Sequence, residues 1–422
     1  MWVPVLSVTA FAVALALSMW SRINVGFVAL VFAYGLGTFG AGLQLSQVMA
    51  GFPVSLFLTV MSITLVFGHA QQNGTLERAA GHAVQLARGQ PAVLPWIFFG
   101  VAVVLGSLGA GNIGAVALLC PVALSVARQA GVPVFLMSLL VLCGGNGAAL
   151  SPLAPTGIIA GDLMARIGLT GFGLYTYANC LLAHTLLAVF GYVFFGGLGL
   201  LRSSLDVSAR AGVAALLVAQ RKPFEKRHVV TLCVLVAMLA VVVFGRVSVG
   251  PTALVASVLL SLLRVSDEDE VIRNLPWGTV LMVCGMTCLL SILERTGGID
   301  LFALAIEKLA TPNRAPFVVA ASTGLLSAYS SSSGVVLPTF LPILPKLVQK
   351  MGGGDLLALA SSVNVGAHLV DLSPLSTLGA LCVAADKDGT DKLYRQLLAV
   401  GMSMVVFGAL FCQIAFGWLH LP

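Results

Sequence analysis

Residues 144 to 157 read GGNGAALSPLAPTG, set between the apolar runs FLMSLLVLC (135–143) and IIAGDLMARIGL (158–169). Four glycines, two prolines, an Asn, a Ser and a Thr would form a loop in water. Here the flanks place them inside a membrane span. Each backbone group left unpaired in hydrocarbon costs several kcal/mol, so a broken helix survives there only under a cover of protein or beside a water-filled cavity.

The surrounding chain has a membrane composition. Of 422 residues, 59% are hydrophobic and 9% charged, and the mean hydropathy is +1.02. Soluble domains carry about 25% charged residues. The first run, VPVLSVTAFAVALALSMW (3–20), has no basic segment before it and reads as a span rather than a cleaved signal peptide. The formal charge of +6 fits cytoplasmic loops better than a nucleic-acid surface. The eight cysteines all lie in apolar runs without a CxxC pair. Cys284 and Cys288 share a helix face, which reads as core packing rather than a metal site.

Apolar runs predict spans near 4–20, 24–41, 54–70, 134–165, 172–200, 229–246, 249–264, 277–293, 355–385 and 393–418. Two more stretches, 94–128 and 315–349, have polar centres and read as re-entrant hairpins. The expected architecture is an all-α polytopic membrane protein of about ten spans. LFLTVMSITLVFGHAQQNGTLERAA (56–80) parallels VLMVCGMTCLLSILERTGGIDLFAL (280–304). SLGAGNIGAVALLCP (107–121) parallels SAYSSSSGVVLPTFLP (327–342), and SPLAPTG (151–157) parallels SPLSTLG (373–379). Three pairs in one order at one offset argue for a repeat. The expected units are a first repeat over 1–200, a basic linker over 201–228 and a second repeat over 229–422. Five crossings per half would invert the second copy, as in many secondary transporters.

Basic residues orient the chain. The linker carries Arg202, Arg210, Arg221, Lys222, Lys226 and Arg227, and it is placed in the cytoplasm. Both termini then fall outside, with 15 Lys and Arg inside against 7 outside. The segments 73–89 and 297–313 read as interfacial amphipathic helices, and SDEDE (266–270) as a solvated loop.

Polar breaks recur four times, at 106–112, 144–157, 327–334 and 364–379. Half-helix N-termini offer N–H groups to an anion, and unwound carbonyls can bind a cation. Four breaks in paired positions could converge on one site. Ionisable residues inside spans are costly and often functional. His368 and Asp371 stand out, spaced to share a helix face, either as a mutually satisfied pair or as site residues. Asp371 could carry a proton or bind a cation, and His368 could donate to a carboxylate or titrate near neutral pH.

GAGNIGAVALLCP resembles the Ser-Asn-Thr hairpin tip of the divalent-anion/sodium symporters, where an Asn precedes a Pro by nine positions. Asn112 and Pro121 keep that spacing, as do Ser333 and Pro342. Taken whole, the chain is similar to the MatC-like dicarboxylate (malonate) carriers of the wider ion-transporter superfamily. Ala110-Gly111-Asn112-Ile113 stands where those symporters have Ser-Asn-Thr, and Ser332-Ser333-Gly334 lacks the second Asn.

The resemblance implies an elevator-type carrier of small organic anions, coupled to a cation such as sodium. It would be a homodimer in the inner membrane, with no nucleic-acid partner and no resident cofactor. Candidate substrate residues are Asn112, Asn146, Ser151, Thr156, Ser332, Ser333, His368, Ser373 and Thr377. Candidate cation-coupling residues are Ser107, Gly111, Asn112, Asn364 and Asp371. An arsenite-type or sodium/proton exchanger of the same superfamily is the nearest competing reading. An intramembrane hydrolase is a remote one: HExxH is absent, and only His368 stands near a break serine, Ser373. No GxxxxGK[ST] occurs, which argues against ATP drive by this chain.

Overall fold

The computed structural model describes residues 2–20, 23–84, 90–202, 223–245, 247–301, 311–386 and 390–421. Among these residues every regular element is a helix. The chain is an integral membrane protein. Among the described residues six helical stretches are apolar and long enough to cross a bilayer, and five shorter apolar helices accompany them.

The main helices are α1 (Trp2–Trp20), α2 (Val25–Gly35), α3 (Val54–Gln72), α4 (Leu94–Leu105), α5 (Gly111–Gln129), α6 (Val134–Gly147), α7 (Pro155–Arg166) and α8 (Gly173–Phe194). They continue as α9 (Lys226–Gly245), α10 (Val249–Leu262), α11 (Trp277–Arg295), α12 (Ala315–Ser327), α13 (Leu337–Phe340) and α14 (Leu344–Lys350). The last three are α15 (Leu356–Leu369), α16 (Thr377–Ala385) and α17 (Thr390–Cys412). Every run expected to span is helical, and the order of elements in the first half recurs in the second.

Packing crosses between the halves in a reciprocal way. α2 lies along α11, and α10 lies along α3. The sequence Val-Gly begins both α2 and α10, and each glycine is a contact point. A side chain at Gly26 would enter the Leu281 backbone, and one at Gly250 would meet Thr59. Absence of a side chain lets these helices approach closely, the usual way to gain dispersion contact in lipid. Deeper in the molecule both arms of the first hairpin, α4 and α5, pack on α6. α12 packs in the same manner on α15. α16 from the second half then lies against α5.

The linker's basic residues 210, 221 and 222, and residues 302–310 of the second amphipathic segment, lie outside the described residues. Of the first amphipathic segment, 73–89, the helix Thr75–Val84 is described, and residues 85–89 lie outside the described residues. Arg78 on it bonds Glu225 at 3.1 Å and the Pro223 carbonyl. Asn73 is buried and donates to Thr231 at 2.8 Å. Cys284 and Cys288 are buried in the core, as expected, and among the described residues no three His, Cys, Asp or Glu side chains gather as a metal-ligand cluster.

Candidate functional site

The two broken spans fold alike. α6 ends at Gly147 and α7 begins at Pro155; α15 ends at Leu369, passes through a 3-10 turn Val370–Leu372, and α16 begins at Thr377. The hydrogen bonds match at one offset. Ser151 N donates to Ala148 O and Ser373 N to Val370 O. Leu153 N donates to Ser151 Oγ and Leu375 N to Ser373 Oγ, each at 3.3 Å. Ala154 N and Ser376 N donate to the carbonyls of the same serines. Gly157 and Gly379 each sit against that serine carbonyl, so neither has room for a side chain. Most of the freed backbone groups are thus satisfied locally.

One expectation is corrected here. The glycines at 144, 145 and 147 do not break the helix; they lie within α6. Gly144 lets Phe99 of α4 approach and Gly145 lets Val116 of α5 approach. The break itself is AALSPLA, 148–154; in the second span residues 364–369, expected in the break, are likewise helical within α15, and the break is VDLSPLS, 370–376.

At the first hairpin tip the chain turns through Gly106–Ala110. Gly109 has φ +118° and Gly111 φ +71°, values that L side chains rarely adopt. The ring of Phe67 also fills the space beside Gly109. At the second tip Ser331 Oγ accepts from Gly334 N at 3.0 Å, capping the turn Ser332–Val336.

Both tips, the start of α7 just past the first break, and the second break meet at one cavity of about 760 Å³. Of the expected site residues, Gly111, Asn112, Thr156, Ser332, Ser333, His368, Asp371 and Thr377 lie in its wall. Ser107, Asn146, Ser151, Asn364 and Ser373 are not wall residues. Asn146 is fully buried and holds Asn112, whose Nδ2 donates to Asn146 Oδ1 at 3.0 Å. Ser151 donates to the Ser107 carbonyl at 2.7 Å, and Ser107 meets the Tyr177 hydroxyl at 2.8 Å. Asn364 Nδ2 points at Met164 Sδ, and Ser373 Oγ accepts from Leu375 N.

Two wall features escaped sequence reading. Gln71, Gln72 and Tyr329 line the cavity although no break contains Gln71 or Gln72. Glu270, from the acidic run expected to be a solvated loop, is also in the wall and accepts from Gln72 at 2.7 Å. Their signal was a tertiary one: α3 packs on the short helix Glu268–Arg273.

The electrostatics follow from helix ends. The first residues of α5, α7 and α16 are in the wall, as is the second tip where a helical arm begins. Each N-terminus presents a partial positive charge, worth about 0.3–1 kcal/mol toward an anion. Among the described residues no Lys or Arg lines the cavity; its ionisable groups are Glu270, Tyr329, His368 and Asp371. Asp371 is buried, with Oδ2 accepting from Ser332 at 2.5 Å and Oδ1 from Ser327 at 3.2 Å. His368 Nδ1 bonds the Asn364 carbonyl at 2.7 Å. His368 and Asp371 therefore have separate partners and do not satisfy one another.

Comparisons with known proteins agree with this architecture. Residues 1–149 match the family model described as the dicarboxylate carrier protein MatC N-terminus. The resemblance to MatC-like carriers is therefore found in the chain's own N-terminal third. An uncharacterized transporter of Mycobacterium tuberculosis is 25% identical over 443 aligned residues, covering 99% of this chain and 98% of the relative. An uncharacterized transporter of Mycobacterium bovis is 23% identical, covering 86% of this chain and 89% of its own. Among solved structures, the Alcanivorax borkumensis YdaH transporter aligns with a TM-score of 0.58 at 17% identity, covering 100% of this chain and 98% of its own. Neisseria gonorrhoeae MtrF, described as illuminating a class of antimetabolite efflux pumps, aligns at 0.59 and 12% identity over 97% of this chain and 94% of its own. At such identities the structural likeness concerns the fold.

Proposed function

We propose that this chain is a secondary active transporter of small dicarboxylates or related organic anions, coupled to a cation. One observation carries the reading: helix N-termini and two polar hairpin tips line a single cavity whose described wall has no Lys or Arg. Such a site favours an anion through N–H groups, amides and hydroxyls. The match of residues 1–149 to a dicarboxylate carrier family supports the same substrate class.

Charge accounting supports coupling. Glu270 and Asp371 add negative charge to the cavity, so a dianion would bind there unfavourably alone. A sodium ion or proton at Asp371 would offset that charge, with Ser327 and Ser332 as neighbouring oxygen donors. Hairpins and broken spans would form two inverted copies of one device and move together as an elevator. α2 and α10 would belong to the scaffold and the interface of a homodimer. The carboxylate at Asp371 also favours, as a second reading, a sodium/proton exchanger built on the same fold.

Uptake of labelled malonate and succinate into proteoliposomes tests both. The expected result is accumulation driven by an imposed sodium or pH gradient. Cation exchange without uptake of either acid would favour the exchanger. No flux of any kind would contradict the carrier.

A further inference from the structure

His368 and Asn146 occupy corresponding places in the two broken spans, and their bonding differs. Asn146 is saturated. Its Oδ1 accepts from Asn112 at the first tip, and its Nδ2 donates to the His368 carbonyl and to His184 Nε2. His184 Nδ1 bonds the Cys180 carbonyl at 2.8 Å, so it carries the proton and Nε2 is the acceptor. His368 Nδ1 likewise faces a carbonyl, which can only accept. The proton sits on Nδ1, and the Nε2 edge is a lone pair.

That edge has no partner among the described residues. The ring is 1% exposed, and it lies in the cavity wall. At the first tip, Asn112 reaches across to the broken span. The second tip has Ser333 at the matching place, and its shorter side chain makes no such bond to His368. Neighbours supply no donor either. The titratable groups on the packed elements include the buried His184 and Cys180 on α8, Cys143 on α6 and Cys412 on α17, and none of the described groups bonds Nε2. α12 contributes none, and the nearby Asp371 has its oxygens on Ser327 and Ser332. A charged ring would be buried without an anion bonded to it, so the neutral acceptor is the resting form.

We infer that the transported acid presents a hydrogen-bond donor to His368 Nε2, taking the place that Asn112 fills in the other half. This rests on the carrier reading above and specifies its substrate. The donor is either a hydroxyl beside the carboxylate or the acid proton of a half-neutralised dicarboxylate. A substrate lacking both would leave the buried lone pair without a donor. Sites built to pair a substrate hydroxyl discriminate strongly against analogues without one.

The test measures uptake of malonate against hydroxymalonate, and succinate against malate, across a pH series in proteoliposomes. Wild type, His368→Phe and His368→Gln are compared, the last keeping an acceptor. A hydroxyl preference of about tenfold or more, lost in His368→Phe and regained in His368→Gln, supports the inference with the hydroxyl as donor. No hydroxyl preference, but malonate and succinate uptake that rises as pH falls only when an acceptor is present, supports it with the acid proton as donor. Equal uptake of both members of each pair with no dependence on pH overturns it, as does a hydroxyl preference or a pH dependence that is unchanged in His368→Phe. If His368→Phe fails to fold, the wild-type preferences and the Gln variant still decide. If wild type takes up none of the four acids, the carrier reading fails and this inference falls with it.

Discussion

Asn112 shows how much one side chain can carry here. Its Oδ1 accepts from Ile113 N and its Nδ2 bonds Asn146, so a single amide both bonds the first turn of α5 and ties the first tip to the first broken span. Asn112→Ala leaves Asn146 Oδ1 buried and unpaired, at a cost of about 1–3 kcal/mol. The expected outcome is a protein that inserts but shows a lower thermal midpoint in detergent and no uptake. Normal uptake would remove Asn112 from the site. Asp371→Asn tests a different role. It keeps hydrogen bonds to Ser327 and Ser332 while removing the charge. Uptake should then cease to follow the imposed cation gradient, and gradient-driven accumulation equal to wild type would contradict coupling there. These residues were legible because an amide or a carboxylate inside a span is expensive. Their partners were not. Nothing in the spacing of His368 and Asp371 reveals that each turns to a separate neighbour.

The breaks were legible as elements, and their inner mechanics only in part. SPLAPTG and SPLSTLG announced two matching interruptions, and the structure gives both the same turn. The glycines just before the first were misleading, because glycine in a span serves close packing as readily as it serves a kink. Position within the element should therefore decide the effect of substitution. Gly157 faces the Ser151 carbonyl, whereas Gly161, one turn on in α7, has open space beside it. Gly157→Ala forces the start of α7 away from the break, with an expected loss of about 1–3 kcal/mol. Gly161→Ala should be neutral or slightly stabilising. Thermal unfolding of both purified variants checks the contrast, and equal midpoints would contradict this account of the break.

Across the whole molecule, composition and apolar run length gave away the membrane class and the helix order, since both follow from the solvent. The pairing of α2 with α11 and of α10 with α3 was invisible, because lipid-facing and protein-facing apolar residues look alike in sequence. So was Glu270, which reaches the cavity only through the packing of α3 on the helix Glu268–Arg273. The crossed pairing has a consequence. Residues 1–200 expressed alone lack the partners of α2 and α3, and should be degraded. Co-expression with residues 223–422 should restore a stable complex, detected by co-purification; a stable isolated half would contradict the crossed packing. The central claim is that one anion site lies among the helix N-termini. Anomalous scattering from crystals grown with bromosuccinate tests it most directly. A bromine peak is expected within the cavity bounded by Asn112, Thr156, Ser333, His368 and Thr377. A bound ligand located elsewhere, with that cavity left clear, would contradict it.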